Sequence, residues 1–338
     1  MKIAFFGVKS WEKEYLLNKS KVEIPESEVY FFEEILDQNH LPDAKDFDSI
    51  SLFVDSNANA SVLEQFPNLK LITARSTGYD NIDLETCKAR GIVVATVPAY
   101  GENTVAEYAF ALILTLSRKI YESCEQIRQT GSFSVEGLTG FDLQGKTLGV
   151  LGTGKIGRNI IRIAKGFEMK ILAFDTFPNE EYAKTMNYPY VPMEELLKQS
   201  DIVTVHVPYL KETHHLINEA ALRLMKKNAF IINTSRGAVI ETEALVKALK
   251  EKWVTGAGLD VLEEEGIMKG EAEFVEKNQA EGSSSRTVIA NHVLIDLPNV
   301  IVTPHNAFNT QEALERILET TVLNIKSFIT GSPTNLVK

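Results

Sequence analysis

Only two cysteines, Cys87 and Cys124, occur in 338 residues, and they form neither a framework nor a Cys-x-x-Cys pair. A disulfide-stapled secreted scaffold is thereby excluded, and a reducing compartment is expected. Long apolar runs are missing as well: the longest, around AFALILTLS, falls short of the roughly 20 residues a bilayer span needs. The apolar stretch in MKIAFFGVKSWEKEY is too short for a signal peptide, and acidic residues follow closely. Nor is there a basic excess. Lys+Arg 35 against Asp+Glu 46 leave a net charge of −11, which argues against nucleic acid or an anionic membrane as the main partner. No cysteine or second histidine stands at metal-ligand spacing from His305, so no metal is expected, and no Gly-x-Ser-x-Gly elbow supplies a nucleophile. No repeat is present at solenoid or propeller periods. These absences leave a cytoplasmic globular protein, long enough for two domains.

Short β-rich runs alternate with helical patterns, the signature of α/β architecture with parallel sheets. Strands are predicted at KIAFF, SISLFV, LKLITA and IVVAT, and then, more regularly, at TLGVL, KILAF, DIVTVHV, AFIINT, VTGAGL and NVIVT. The last six fit a doubly wound dinucleotide-binding sheet. Between the two groups, Thr104 and Glu107 predict a capping box for a helix that is apolar nearly all round. Such a helix is buried, either within the chain or between subunits; a homodimer is expected. A final helix, roughly Gln311 to Ile329, starts at an Asn309/Glu312 capping pair and is expected to return to the first region, interleaving the domains. The polar stretch EEEGIMKGEAEFVEKNQAEGSSSR reads as a surface excursion.

Gly152-x-Gly154-x-x-Gly157 stands between a predicted strand and a predicted helix. The first glycine permits the tight turn, the second lets backbone approach a pyrophosphate, and the third lets helix pack on strand. Lys155 and Ile156 open the helix. Asp175 ends the next strand, where a carboxylate accepts ribose hydroxyls and repels a 2′-phosphate. Thr176, Phe177 and Pro178 follow it, with no arginine for that phosphate, so NAD is preferred over NADP.

The carboxyl ends of the six strands carry Gly152, Asp175, His206-Val207-Pro208, Thr234-Ser235-Arg236, Asp260 and His305. In a doubly wound sheet these ends form one edge, outside which ligands bind. Arg236 follows a run that should be buried, so its fork needs an anionic or carbonyl partner. His305 needs an acid to fix its tautomer and favour the imidazolium, leaving the other nitrogen to exchange a proton. Asp260, Glu263, Glu264 and Glu265 are all candidates.

GTGKIG, HVPYLKETHHLIN, NTSRG, GLDVLEEE and TPHNAF, in this order and spacing, resemble the NAD-dependent D-2-hydroxyacid dehydrogenase family over nearly the whole chain. The resemblance implies two Rossmann-like doubly wound domains, with a dinucleotide-binding domain inserted in a smaller flavodoxin-like substrate domain. The boundaries expected are 1–99 and 308–338 for the substrate domain and 100–307 for the NAD-binding domain. The family's catalytic arginine, glutamate and histidine fall on Arg236, Glu265 and His305, and Asp260 falls beside the nicotinamide. RSTGYDNID resembles the loop that holds a substrate carboxylate, here Ser76, Thr77 and Gly78. VPAYGENTVAE and TPHNAF resemble the D-lactate dehydrogenase branch, with Tyr100 and Phe308 at the substrate. Gly101 and Asn309 depart from that branch's usual serine and tyrosine, which leaves the pocket size open. The expected reaction is reversible reduction of a 2-oxo acid, pyruvate before others, to the D-2-hydroxy acid. The alternatives are a dehydrogenase of a bulkier D-2-hydroxy acid and a NAD-responsive binding protein.

Overall fold

Residues 1–265 and 283–337 are described by a computed structural model, in which the chain divides into two compact units. The first comprises Met1–Gly101 with Asn309–Lys338, the second Glu102–Phe308. Of the predicted excursion, residues 266–282 lie outside the described residues, and Ser283–Asp296 forms a helix.

The first unit is built on five parallel strands, β1 (Lys2–Phe5), β2 (Glu28–Phe31), β3 (Ser49–Leu52), β4 (Leu71–Ala74) and β5 (Val93–Ala95), in the order β2-β1-β3-β4-β5. Four of these are legible in the sequence. The fifth, β2, is an edge strand whose EVYF run is partly exposed along its length, so it lacks the apolar signature of its neighbours. One sheet face packs Ile3, Phe5, Leu71 and Ala95 against Leu16 of the helix Ser10–Glu23 and against Leu318, Val322 and Ile325 of the helix Gln311–Ile329. Each large apolar side chain buried there is worth about 2 kcal/mol, so the last helix is part of this core. Its cap is Thr310, whose Oγ1 accepts from Ala313 N at 3.2 Å, and not the predicted Asn309. The helix starts at Gln311, which puts Thr310 in the extended backbone a capping residue needs.

The second unit holds six parallel strands, β6 (Thr147–Leu151), β7 (Lys170–Phe174), β8 (Ile202–Val205), β9 (Phe230–Asn233), β10 (Gly256–Leu259) and β11 (Val300–Val302). All six match the predicted runs. Their order is β11-β10-β9-β8-β6-β7, so the winding reverses between β6 and β8. A crevice at such a reversal, outside the carboxyl ends, is where this architecture takes ligands. The predicted capping box at Thr104 and Glu107 is not formed. The helix spans Glu102–Arg118, which leaves Thr104 buried inside its first turn and Glu107 accepting from Asn103 Nδ2. That helix buries Ala106, Ala109, Phe110, Leu112, Ile113 and Leu116, and stops where Lys119 turns left-handed (φ 52°). The following helix, Ile120–Thr130, buries no residue. Among the described residues, no helix is long and apolar enough to cross a membrane.

Candidate active site

β6 runs into Gly152, whose φ of +91° is a left-handed conformation that L side chains rarely adopt. A Cβ there would lie 2.6 Å from His206 O, so the turn and the neighbouring strand end approach too closely for any side chain. At Gly157 a Cβ would lie 2.1 Å from Gly152 O, which is the close helix-to-turn packing expected of the third glycine. Gly154 differs: nothing lies within 4 Å of a Cβ built on it. It is the N-cap of the helix Lys155–Gly166 and offers no capping side chain, so the first-turn N–H groups, Lys155 and Ile156 among them, face open space. Uncapped amides with a helix dipole behind them make an anion cradle, and a pyrophosphate fits one.

Asp175, just past β7, is fastened to this loop. Its Oδ2 accepts from Thr153 N at 2.6 Å and Thr153 Oγ1 at 2.8 Å, and its Oδ1 from Phe177 N at 2.9 Å. Phe177, beside it, is 87% exposed, and no basic side chain comes between Asp175 and Asn179. The Lys155 ammonium is drawn to Glu102, 3.2 Å away.

At the end of β8, His206 is half-buried beside Val207, with Pro208 exposed. Its Nε2 meets Thr204 Oγ1 at 2.8 Å, while Nδ1 has no hydrogen-bond partner among the described residues. Burial pushes the imidazole pKa down to about 3, so the ring is neutral. At the end of β9, Asn233 organises the loop, a role not noticed in the sequence. Its Oδ1 accepts from Ser235 N at 2.9 Å and Ser235 Oγ at 2.7 Å, and its Nδ2 donates to Arg236 O at 2.9 Å. Thr234 is buried, its Oγ1 without a partner among the described residues. Arg236, in extended backbone, donates from Nη1 to Ser235 O at 2.9 Å.

His305 follows β11 in left-handed backbone (φ 52°), its N–H directed to Asp260 O at 2.8 Å and Thr303 O at 2.9 Å. Its Nδ1 lies 2.6 Å from Glu265 Oε1. Three of the four acids left open by the sequence are thereby told apart. Asp260 is fully buried and takes Thr303 Oγ1, Asn306 N at 2.8 Å and Ala307 N at 2.7 Å. Burial raises its carboxyl pKa, against the pull of those donors. It therefore holds the loop carrying His305, while Glu265 meets the ring. Glu263 instead meets His215 Nε2, 2.8 Å away. Phe308 is half-buried just beyond this loop.

In the first unit, the Ser76–Gly78 loop leaves β4. Ser76 Oγ donates to Gly78 O, Thr77 Oγ1 to Val97 O at 2.8 Å, and Val97 N to Ser76 O at 3.0 Å. Among the described residues none accepts from the N–H groups of Ser76, Thr77 or Gly78. Amides left free in this way can take an anion's oxygens. Beside them stands Arg75, a residue the sequence did not single out. It is 1% exposed, and its Nη2 donates to Phe6 O at 2.6 Å and Gly7 O at 3.2 Å. Tyr100 is half-buried, and its carbonyl accepts from Arg316 Nε at 2.7 Å.

An open helix N-terminus and a carboxylate-paired imidazole along one sheet edge suit hydride transfer to a carbonyl, the chemistry of a nicotinamide-dependent dehydrogenase. The comparisons with known proteins narrow this class. The family described as "D-isomer specific 2-hydroxyacid dehydrogenase, NAD binding domain" matches residues 110–307. D-lactate dehydrogenase of Escherichia coli is 38% identical over 347 aligned residues, covering 100% of both chains. Glyoxylate reductase of Thermococcus litoralis is 39% identical, over 88% of this chain and 85% of its own. Among solved structures, D-lactate dehydrogenase from Aquifex aeolicus, complexed with NAD and lactic acid, superposes with a TM-score of 0.84 at 35% identity, covering 98% of this chain and 96% of that one. The chain belongs to the D-isomer-specific 2-hydroxyacid dehydrogenase family, and is an NAD-dependent enzyme of that family.

Proposed function

We propose that the enzyme reduces pyruvate to D-lactate with NADH, reversibly. The observation that carries this reading is the 2.6 Å pair between His305 Nδ1 and Glu265 Oε1, which leaves Nε2 to give its proton to a carbonyl oxygen. Glu265 stabilises the imidazolium. Arg236 holds the substrate carboxylate and polarises the keto oxygen. The unpaired amides of Ser76, Thr77 and Gly78 support a second hold on that carboxylate, and Tyr100 and Phe308 are assigned to its side chain. NAD supplies the hydride. The Gly152–Ile156 cradle takes its pyrophosphate and Asp175 its ribose, and His206 to Pro208, Thr234, Ser235 and Asp260 complete the lining. The unit Glu102–Phe308 is read as the NAD-binding domain, and the other as the substrate domain.

Lactate dehydrogenases among the full-length relatives support pyruvate as substrate. A structural neighbour that is a D-2-hydroxyisocaproate dehydrogenase, 31% identical, supports a bulkier acid as the second reading. Exposed apolar side chains on and after the unburied helix, Ile120, Tyr121, Ile127, Phe133 and Val135, support a homodimer. A cytoplasmic location accords with the free thiols of Cys87 and Cys124.

The test is loss of NADH absorbance with pyruvate and a series of larger 2-oxo acids, with His305→Ala as control. Fast turnover of pyruvate, abolished in the control, supports the reading. Preference for a branched acid moves the substrate and keeps the mechanism. Tight NADH binding without any turnover points to a sensor.

A further inference from the structure

The acidic run after β10 splits its duties: Glu265 faces His305, and Glu263 makes a separate set of bonds. Glu263 Oε1 lies 2.8 Å from His215 Nε2, Oε2 accepts from Thr242 Oγ1 at 2.9 Å, and the backbone carbonyl accepts from the buried Asn291 Nδ2 at 2.8 Å. The Glu263 side chain is only 14% exposed, so protein groups rather than solvent hold it. His215 is itself anchored. Its N–H donates to Ala238 O at 2.9 Å, two residues past Arg236. Between these bonds, a Cβ on Gly237 would lie 2.0 Å from Leu262 C, so the two segments touch backbone to backbone. Glu264 and His215 both stand in left-handed backbone (φ 57° and 50°), an arrangement that persists only when neighbours impose it.

We propose that His215 and Glu263 are positioning residues for the reaction. Their hydrogen bond clamps the turn Val261–Glu265 onto the segment Arg236–Ala238 and so fixes where Glu265 stands with respect to Arg236. The proposal rests on the roles given above to Arg236, Glu265 and His305. Its physical basis is tolerance: a misplacement of about 1 Å costs on the order of 100-fold in rate. His214 stacks on His215 with ring centroids 3.9 Å apart and planes 21° apart, which restrains the imidazole from turning away. His214, His215 and Glu263 bring ligand-type atoms within 4.8 Å of one another. Nearly parallel rings set their in-plane lone pairs side by side, however, and do not converge them on one ion, so we read the trio as a clamp.

The test compares His215→Ala, His215→Gln, Glu263→Ala and their alanine double variant with Glu265→Gln, reading kcat, both KM values and the pH profile of reduction. Each alanine variant is expected to lower kcat about 10- to 100-fold with KM for NADH within about twofold. Each should also move the decline of reduction to lower pH, in the direction of Glu265→Gln. The double variant should lose little more than either single one, because one bond is being broken. His215→Gln keeps a donor for Glu263 and should recover most of kcat. Thr242→Val, a milder cut on the same carboxylate, covers the case in which His215→Ala does not fold, and should show the same pH displacement. Parental kcat and profile in these variants, with Glu265→Gln displaced, would overturn the clamp alone. An undisplaced Glu265→Gln would overturn the catalytic pairing, and the clamp with it.

Discussion

The Asp260 carboxylate accepts the backbone N–H of Ala307 at 2.7 Å, two residues past His305, so a buried acid on one strand end shapes the loop that presents the histidine on the next. Asp260→Asn sets an amide N–H against one of the donors it now accepts. A buried group left unsatisfied costs about 1–3 kcal/mol. Melting temperature and kcat are both expected to fall, with a smaller change in the NADH dissociation constant measured by fluorescence titration. A large loss of NADH affinity at unchanged kcat would instead make its place in the cofactor lining, and not its hold on the His305 loop, its main role.

Glu265→Gln puts a neutral amide in place of the carboxylate facing Nδ1 of His305, the ring assigned to give reduction its proton. Reduction consumes that proton, so its kcat/KM should decline at lower pH than in the parent, and oxidation should become active at lower pH. Steady-state profiles in both directions decide it. A profile that does not move refutes the pairing.

Asp175→Ala removes both the repulsion of a 2′-phosphate and the acceptor of Thr153 N and Oγ1. Preference for NADH over NADPH should shrink by at least about tenfold, the equivalent of 1.4 kcal/mol, through weaker NADH binding as well as better NADPH binding. Ratios of kcat/KM for the two cofactors measure it.

His206 is neutral in the fold, with its pKa lowered to about 3 from an ordinary 6.5. Below pH 6.5 the unfolded chain binds a proton that the folded one refuses, so this residue costs stability as the pH falls from 6.5 towards 3. His206→Gln should flatten the drop in melting temperature between pH 6.5 and 4. A slope equal to the parent's would place the acid sensitivity elsewhere.

The sequence told unequally of different parts. Gly152, Gly154 and Gly157 were legible because each answers a local demand: a left-handed turn, open space, a close helix. The inner strands of the second unit were legible because burial on both faces favours nearly continuous apolar runs, and its edge strands β7 and β11 because KILAF and VIV stay largely apolar as well. β2 escaped because an edge strand needs no such run. The partner of His305 could not be chosen among four acids from residue pattern alone, since strand end and turn both lie within reach; the family resemblance singled out Glu265. The clamp at His215 and Asn233's hold on the arginine loop were invisible for a related reason. Both depend on which way a side chain turns after the chain has folded.

The discontinuous first unit also imposes an order on synthesis. Ile3, Phe5, Leu71 and Ala95 leave the ribosome well before Leu318, Val322 and Ile325, the residues that cover them. Everything from Glu102 to Phe308 is translated in between. At about 5–20 residues per second that interval lasts roughly 10 to 40 seconds. Through it the nascent sheet has only the helix Ser10–Glu23 to cover part of that apolar face, while the middle unit, contiguous in sequence, gathers its own strands as they emerge. Newly made chains are therefore most exposed to aggregation, and to chaperones, just before their last helix emerges.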